Sequence, residues 1–174
     1  DAAVSRSVKP YIDQEFYKSQ CSNIEESALI HFLRTWKYNN AWIHPLVDLS
    51  ECKKEFHASA NSCDPLSTFI LEPERLRWPN RFFDTVDYQK RHSDSIEVNE
   101  TAIEHYMRLG HLEHFDPSYK FSQKYYLRRH GEKVRSGWPA LAEYLHNGAK
   151  SRAAPLPAKP FFDVTSGLNC EQIA

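Results

Sequence analysis

Glycine is nearly missing from this chain. Only five occur in 174 residues, and the first is Gly110. Walker-type and dinucleotide-binding loops need glycine so that backbone N–H groups can approach a phosphate, so neither loop can lie ahead of Gly110. The patterns G-x-S-x-G and H-E-x-x-H are absent throughout, which removes most α/β-hydrolase and zinc-protease readings. No apolar run approaches the roughly 18 residues that span a bilayer. Neither sign of charge is in excess: 22 Lys+Arg against 23 Asp+Glu leave a net charge of −1. With a pI near 6.8, that balance argues against a surface built wholly for nucleic acid. The chain also opens at Asp1 rather than methionine, which is read as a processed or truncated N-terminus.

What is abundant is apolar and aromatic. Hydrophobic residues make up 41% and aromatics 13%, enough for a packed interior in one domain of this length. Residues 1–20 read as an N-terminal arm of mixed character. In "SNIEESALIHFLRTWKY" Ser22 and Glu25 have capping-box spacing, and Ala28, Leu29, Phe32, Leu33 and Trp36 recur at helical spacing. A second helix is expected from Asp48 or Ser50 through "ECKKEFHASA". From Asn61 to Asn80 the prolines Pro65, Pro73 and Pro79 predict a long irregular connection, with Phe69, Ile70, Leu71 and Trp78 packed across a surface. A third helix fits "SIEVNETAIEHYMRLG", with Ile96, Ile103, Tyr106 and Met107 inward. A fourth fits "DPSYKFSQKYYLRRHG", with Asp116 at the N-cap, Pro117 at N1 and Gly131 at C′. A last one fits "PALAEYLHNG". No internal repeat is evident. The expected fold is therefore a mainly α, small helical bundle of four to five helices over 21–148, with extended termini at 1–20 and 149–174.

Several residue groups have chemistry to be weighed. In "GHLEHFDPSYKF", His111 and His114 are three apart and would share a helix face, with His105 one to two turns earlier. Gly110 and Asp116-Pro117 bracket the stretch, however, so it reads as a polar junction between helices rather than a zinc site. Cys52, His57 and Cys63 form C-x4-H-x5-C without the C-x-x-C of a zinc knuckle. Free thiols or a Cys52–Cys63 disulfide are the competing readings, and a bridge requires the helix to turn within "HASANS", because one continuous helix would hold the sulfurs about 16 Å apart. Cys21 and Cys170 could likewise tie the tail to the first helix. Asn99-Glu100-Thr101 is a glycosylation sequon, and Asn99 is equally suited to capping a helix.

Lys120, Lys124 and Arg128 form a stripe, followed by Arg129, Lys133 and Arg135, with Phe121, Tyr125 and Tyr126 interleaved. Such a surface could meet anionic lipid headgroups or RNA, although an ordinary solvated helix face accounts for it as well. The tail carries Pro155, Pro157, Pro160 and the Phe161-Phe162 pair, too apolar to be left in water, and reads as a partner contact. No nucleophile, base and acid stand at diagnostic spacing. No cofactor is implied.

These features predict a non-catalytic accessory subunit of a large, mitochondrial assembly, held to other protein subunits through extended segments. The competing expectations are a secreted, disulfide-stapled effector or binding protein, and a metal-dependent enzyme using His105, His111 and His114 or the Cys52–Cys63 cluster.

Overall fold

The computed structural model of the chain describes residues 11–21, 23–48, 50–51 and 77–158. Among them it is mainly helical, with six α-helices and no strands. They are α1 (Gln14–Ser19), α2 (Ala28–Thr35), α3 (Thr85–His92), α4 (Ala102–His105), α5 (Gln123–His130) and α6 (Ala140–Glu143). Both α4 and α6 run on into a wider π-helical turn, at Tyr106–Gly110 and Tyr144–Gly148.

Within this small helical fold, the described helices pair as hairpins that recur, a repeat not expected from the sequence reading. The organising element is a tight four-residue turn: His44 to Val47, Asn80 to Phe83 and Ser118 to Phe121 each close an antiparallel bridge. In each, the fourth residue's N–H donates to the first residue's carbonyl, at 3.1, 3.1 and 3.3 Å. The first side chain also accepts from the N–H two residues on. His44 Nδ1 takes it from Leu46 at 3.1 Å, Asn80 Oδ1 from Phe82 at 2.9 Å and Ser118 Oγ from Lys120 at 3.1 Å. Three different side chains thus do one job. Successive turns are tied together as well: Asn80 Nδ2 donates to Leu46 O at 2.9 Å, and Ser118 Oγ to Phe82 O at 2.7 Å.

Each turn ends in the cap of the next helix, and each repeat closes on itself. The N–H groups of Asp13, Asp48, Asp84 and Ser122 donate to the carbonyls of Ile43, Pro79, Pro117 and Pro155, at 3.0, 2.7, 3.3 and 3.0 Å. These four equivalent closures follow one another at nearly even spacing. They define repeats 1 to 4, which begin at Asp13, Asp48, Asp84 and Ser122. Asp13 caps α1 by accepting from Phe16 N–H, and Asp84 caps α3 by accepting from Asp87 N–H. In the sequence the Phe82-Phe83-Asp84 triplet returns as Phe161-Phe162-Asp163, which lies outside the described residues.

Repeats 3 and 4 align in register without a gap. Tyr88 and Tyr126, Ala102 and Ala140, Tyr106 and Tyr144, and Gly110 and Gly148 are the matched pairs. A Cβ at Gly110 would sit 2.0 Å from the Tyr88 hydroxyl, and one at Gly148 2.3 Å from that of Tyr126. Both glycines are therefore where a tyrosine of the first helix lies across the second. The core is tyrosine-rich: Tyr11, Tyr17, Tyr88, Tyr106 and Tyr126 are all fully buried. Their hydroxyls need partners, since an unpaired buried hydroxyl is costly. Tyr17 and Tyr88 bond His31 Nδ1 and His105 Nδ1, at 2.8 and 2.9 Å, and Tyr106 donates to Gln123 Oε1 at 3.0 Å. Gln123 Nε2 then reaches His111 O, joining repeats 3 and 4.

Several expected boundaries shift, each for a local reason. The cap of α2 is Ser27, whose hydroxyl accepts from Ile30 N–H; Ser22 lies outside the described residues. Helix α1 falls inside the segment read as an arm, because Phe16 and Tyr17 are core residues. Helix α3 has no counterpart among the expected helices. The third expected helix starts only at Ala102, since Thr101 and Glu104 form the capping box. In the fourth, Pro117 belongs to the stacked turn and α5 begins at Gln123, although the Asp116 carboxylate still accepts from Gln123 N–H at 2.7 Å. Gly131 keeps φ −59° and leads into a short 3-10 turn. The expected second helix is described only at its start, where Ser50 and Glu51 are helical and Asp48 accepts from their N–H groups; the rest of it and most of the proline-rich connection lie outside the described residues.

Candidate functional site

The second helix of a repeat turns one face away from its own hairpin. In repeat 4 that face carries Trp138, Ala142 and His146, four residues apart and hence aligned. It is filled from within the molecule by repeat 1 and the loop that follows it. Phe16 packs edge-on against Trp138 and His146, with ring centroids 5.5 and 4.6 Å apart, and Trp42 meets His146 at 4.9 Å. His146 Nε2–H donates to Pro45 O at 2.8 Å, which fixes the imidazole tautomer. Burial holds that imidazole below its ordinary range, only partly opposed by the Pro45 bond. At the rim, Arg135 donates to the Glu15 carboxylate at 2.8 Å. Ala142 is wholly buried beneath these contacts.

The same face in repeat 3 carries Glu100, Glu104 and Arg108, and no described residue fills it. A cleft of about 530 Å³ opens there, lined also by Glu97, Val98 and Met107. Arg108 donates to both oxygens of Glu100, at 2.6 and 2.9 Å, and lies 3.3 Å from Glu97. Burial works to raise the Glu100 carboxyl, but the bonds from Arg108 prevail and hold it below the usual carboxylate range. The lip is a left-handed turn at Asn99, φ 68°, matched in repeat 4 by Gly137, φ 80°. Repeat 1 shows the arrangement again: Glu26, Ile30 and Arg34 are the equivalents, Arg34 pairs with Glu26, and a cleft of about 270 Å³ opens beside them. Equivalent positions in two repeats therefore build equivalent clefts, each with an aliphatic residue (Val98 or Ile24) and a guanidinium facing carboxylates.

The residues singled out from sequence are placed elsewhere. His105, His111 and His114 do not converge: His105 is buried against Tyr88, and His114 is exposed on the 111–114 turn at φ 59°. Among the described residues no group of three His, Cys, Asp or Glu could hold a metal. Cys21 carries a free thiol beside Asn39 Nδ2; Cys52, His57, Cys63 and Cys170 lie outside the described residues. Thr101 of the sequon spends its hydroxyl on the α4 cap and on Tyr11, while Asn99 stays exposed on the cleft lip.

Of the basic residues, Lys120 Nζ lies 3.9 Å over the Trp78 ring, Arg129 lies over Tyr125, and Arg135 is held by Glu15 and covers Trp138. Lys124 and Arg128 are exposed four residues apart on α5, and Lys133 is exposed on the 3-10 turn that follows it. In the tail, Pro155 closes repeat 4 and Pro157 is exposed, while Pro160, Phe161 and Phe162 lie outside the described residues. Sequence reading missed the clefts altogether. The available signal was the recurrence of Glu and Arg eight residues apart, Glu26 with Arg34 and Glu100 with Arg108.

No helix among the described residues is long and apolar enough to cross a membrane. Comparison of the chain with family models, with curated proteins and with solved structures finds no match.

Proposed function

We propose that this chain is a non-catalytic, protein-binding subunit of a larger assembly, working through the outward faces of its helical repeats. The observation that carries this reading is the seat: one face, built at equivalent positions in three repeats, is filled by the chain's own Phe16 and Trp42 in repeat 4, and in repeats 1 and 3 it forms a cleft that no described residue fills. The faces that repeats do not bury against one another are the surface by which such arrays hold other macromolecules. Exposed apolar side chains accompany the open faces: Ile30 is 57% and Leu33 43% exposed on α2, and Val98 91% at the repeat 3 cleft. Exposed apolar groups gathered beside clefts are more typical of interfaces than of free surface.

The test is the mass of the particle that carries the chain after gentle extraction and native fractionation. Migration at several times the chain's own 20.3 kDa, with fixed partner stoichiometry, is the expected result. Migration at 20.3 kDa across salt concentrations would sink the proposal.

A further inference from the structure

We infer that the repeat 3 cleft is a docking seat for an aromatic–proline turn segment of a partner protein that also carries a basic residue. The inference deepens the protein-binding reading above and rests on it. Its template is inside the molecule. Repeat 4 shows what the seat accepts: the Trp42–Pro45 stretch supplies an indole to His146 and a proline carbonyl to the His146 Nε2–H, while Phe16 covers Trp138.

In repeat 3 the donor at the His146 position is Arg108. Its guanidinium has five N–H groups, of which Glu100 takes two, so it can reach a backbone carbonyl as His146 does. Met107 and Val98 offer the apolar surface for an aromatic ring. Charge then distinguishes the two seats. In repeat 4 the rim residue Arg135 meets an acidic residue of the occupant, Glu15. The equivalent rim residue in repeat 3 is Glu97, whose side chain is 72% exposed. Glu104 is committed to the Thr101 N–H and Glu100 to Arg108, so the exposed Glu97 is the carboxylate an occupant meets, and it favours a positive charge where repeat 1 brings a negative one to repeat 4.

The probe is the peptide Lys-Ala-Trp-Ile-His-Pro-Leu-Val, this chain's own 41–47 segment with a lysine added, titrated into the full isotope-labelled chain and followed by amide NMR shifts. Saturable shifts over Glu97 to Arg108, with a Kd of roughly 0.1–1 mM for so small a contact, are the expected result. Glu97→Lys, on an exposed side chain, should weaken the lysine peptide several-fold, and replacing the peptide's tryptophan and proline by alanine should abolish the shifts. Shifts absent up to several millimolar, shifts confined to repeat 4, or equal shifts from free lysine alone would each overturn the seat. If the seat fails while the native particle is large, the assembly reading stands and its interface lies elsewhere; if the particle is also the size of the single chain, both fail.

Discussion

Replacing His44 by asparagine should remove a defined part of the chain's sensitivity to acid. His44 accepts the Leu46 N–H through Nδ1, so the ring must be unprotonated there. Burial is the main force on it, opposed by the nearby Asp13 carboxylate and reinforced by His146, and the imidazole is pushed down from 6.5 to about 4. A base whose folded value lies below its unfolded value is protonated more readily when unfolded. Its contribution is therefore present above pH 6.5, is lost as pH falls from there towards 4, and falls no further below that. Single-group linkage puts the loss at about 2 kcal/mol at pH 5 and about 3 kcal/mol below pH 4, upper figures because the ring keeps some contact with water. Asn80 shows that an amide makes the same turn bond at the equivalent position, with no proton to gain. His44→Asn should thus be within about 1 kcal/mol of the parent at pH 8, and more stable than it by about 2 kcal/mol at pH 5. Urea unfolding of both proteins at the two pH values measures the difference directly, since the other buried histidines are common to both. An equal loss of stability in the two proteins between pH 8 and 5 would refute the assignment.

Gly110→Ala should cost about 1–3 kcal/mol, because its Cβ would stand 2.0 Å from the Tyr88 hydroxyl; Gly131→Ala, with nothing within 4 Å and φ −59°, should be neutral or stabilising. Tyr88→Phe should cost about 1–3 kcal/mol by leaving His105 Nδ1 without its hydroxyl, yet the double substitution with Gly110→Ala should cost clearly less than the sum, as thermal melts of the four proteins would reveal. Asp84→Ala removes both the α3 cap and the Arg77 ion pair at 2.8 Å; urea unfolding should show a loss of about 1–2 kcal/mol, with most of it recovered by Asp84→Asn, which can still cap. Phe16→Ala should cost about 3–5 kcal/mol and loosen repeat 4 from repeat 1, seen as faster amide exchange around His146; unchanged exchange there would argue that the filled seat contributes nothing to closure.

The helical class and several elements were legible in the sequence because their signals are local. The apolar spacing of Ala28, Leu29 and Phe32 places α2, and Pro139 with Asn147-Gly148 brackets the last helical stretch. The sequence carries the repeat openly only between repeats 3 and 4, where Tyr, Ala, Tyr and Gly recur without a gap; elsewhere its shared job is done by unlike residues. His44, Asn80 and Ser118 make one turn bond with a ring nitrogen, an amide oxygen and a hydroxyl. Trp36 stands where repeats 3 and 4 have Gly110 and Gly148, and the spacing between closures lengthens slightly along the chain. Helix α3 carries little signal because "TVDYQKRH" buries a single side chain, Tyr88, and so shows almost no apolar period. Asp116-Pro117 misleads for the opposite reason. It is a strong helix-start signal, but Pro117 is needed in the stacked turn, where its carbonyl accepts from Asp84 N–H. The seats are invisible from one repeat alone; only the filled copy, with His146 on Pro45, gives the open copies a meaning.

Hydrogen exchange of the full chain, followed amide by amide, tests the four-repeat architecture most directly. The amides of Asp13, Asp48, Asp84 and Ser122 each donate to a carbonyl at the far end of the same repeat, so they open only when a whole repeat opens. These four should exchange among the slowest in the chain, and at similar rates to one another. Exchange of any of them as fast as the exposed 111–114 turn would contradict the closure of each repeat on itself.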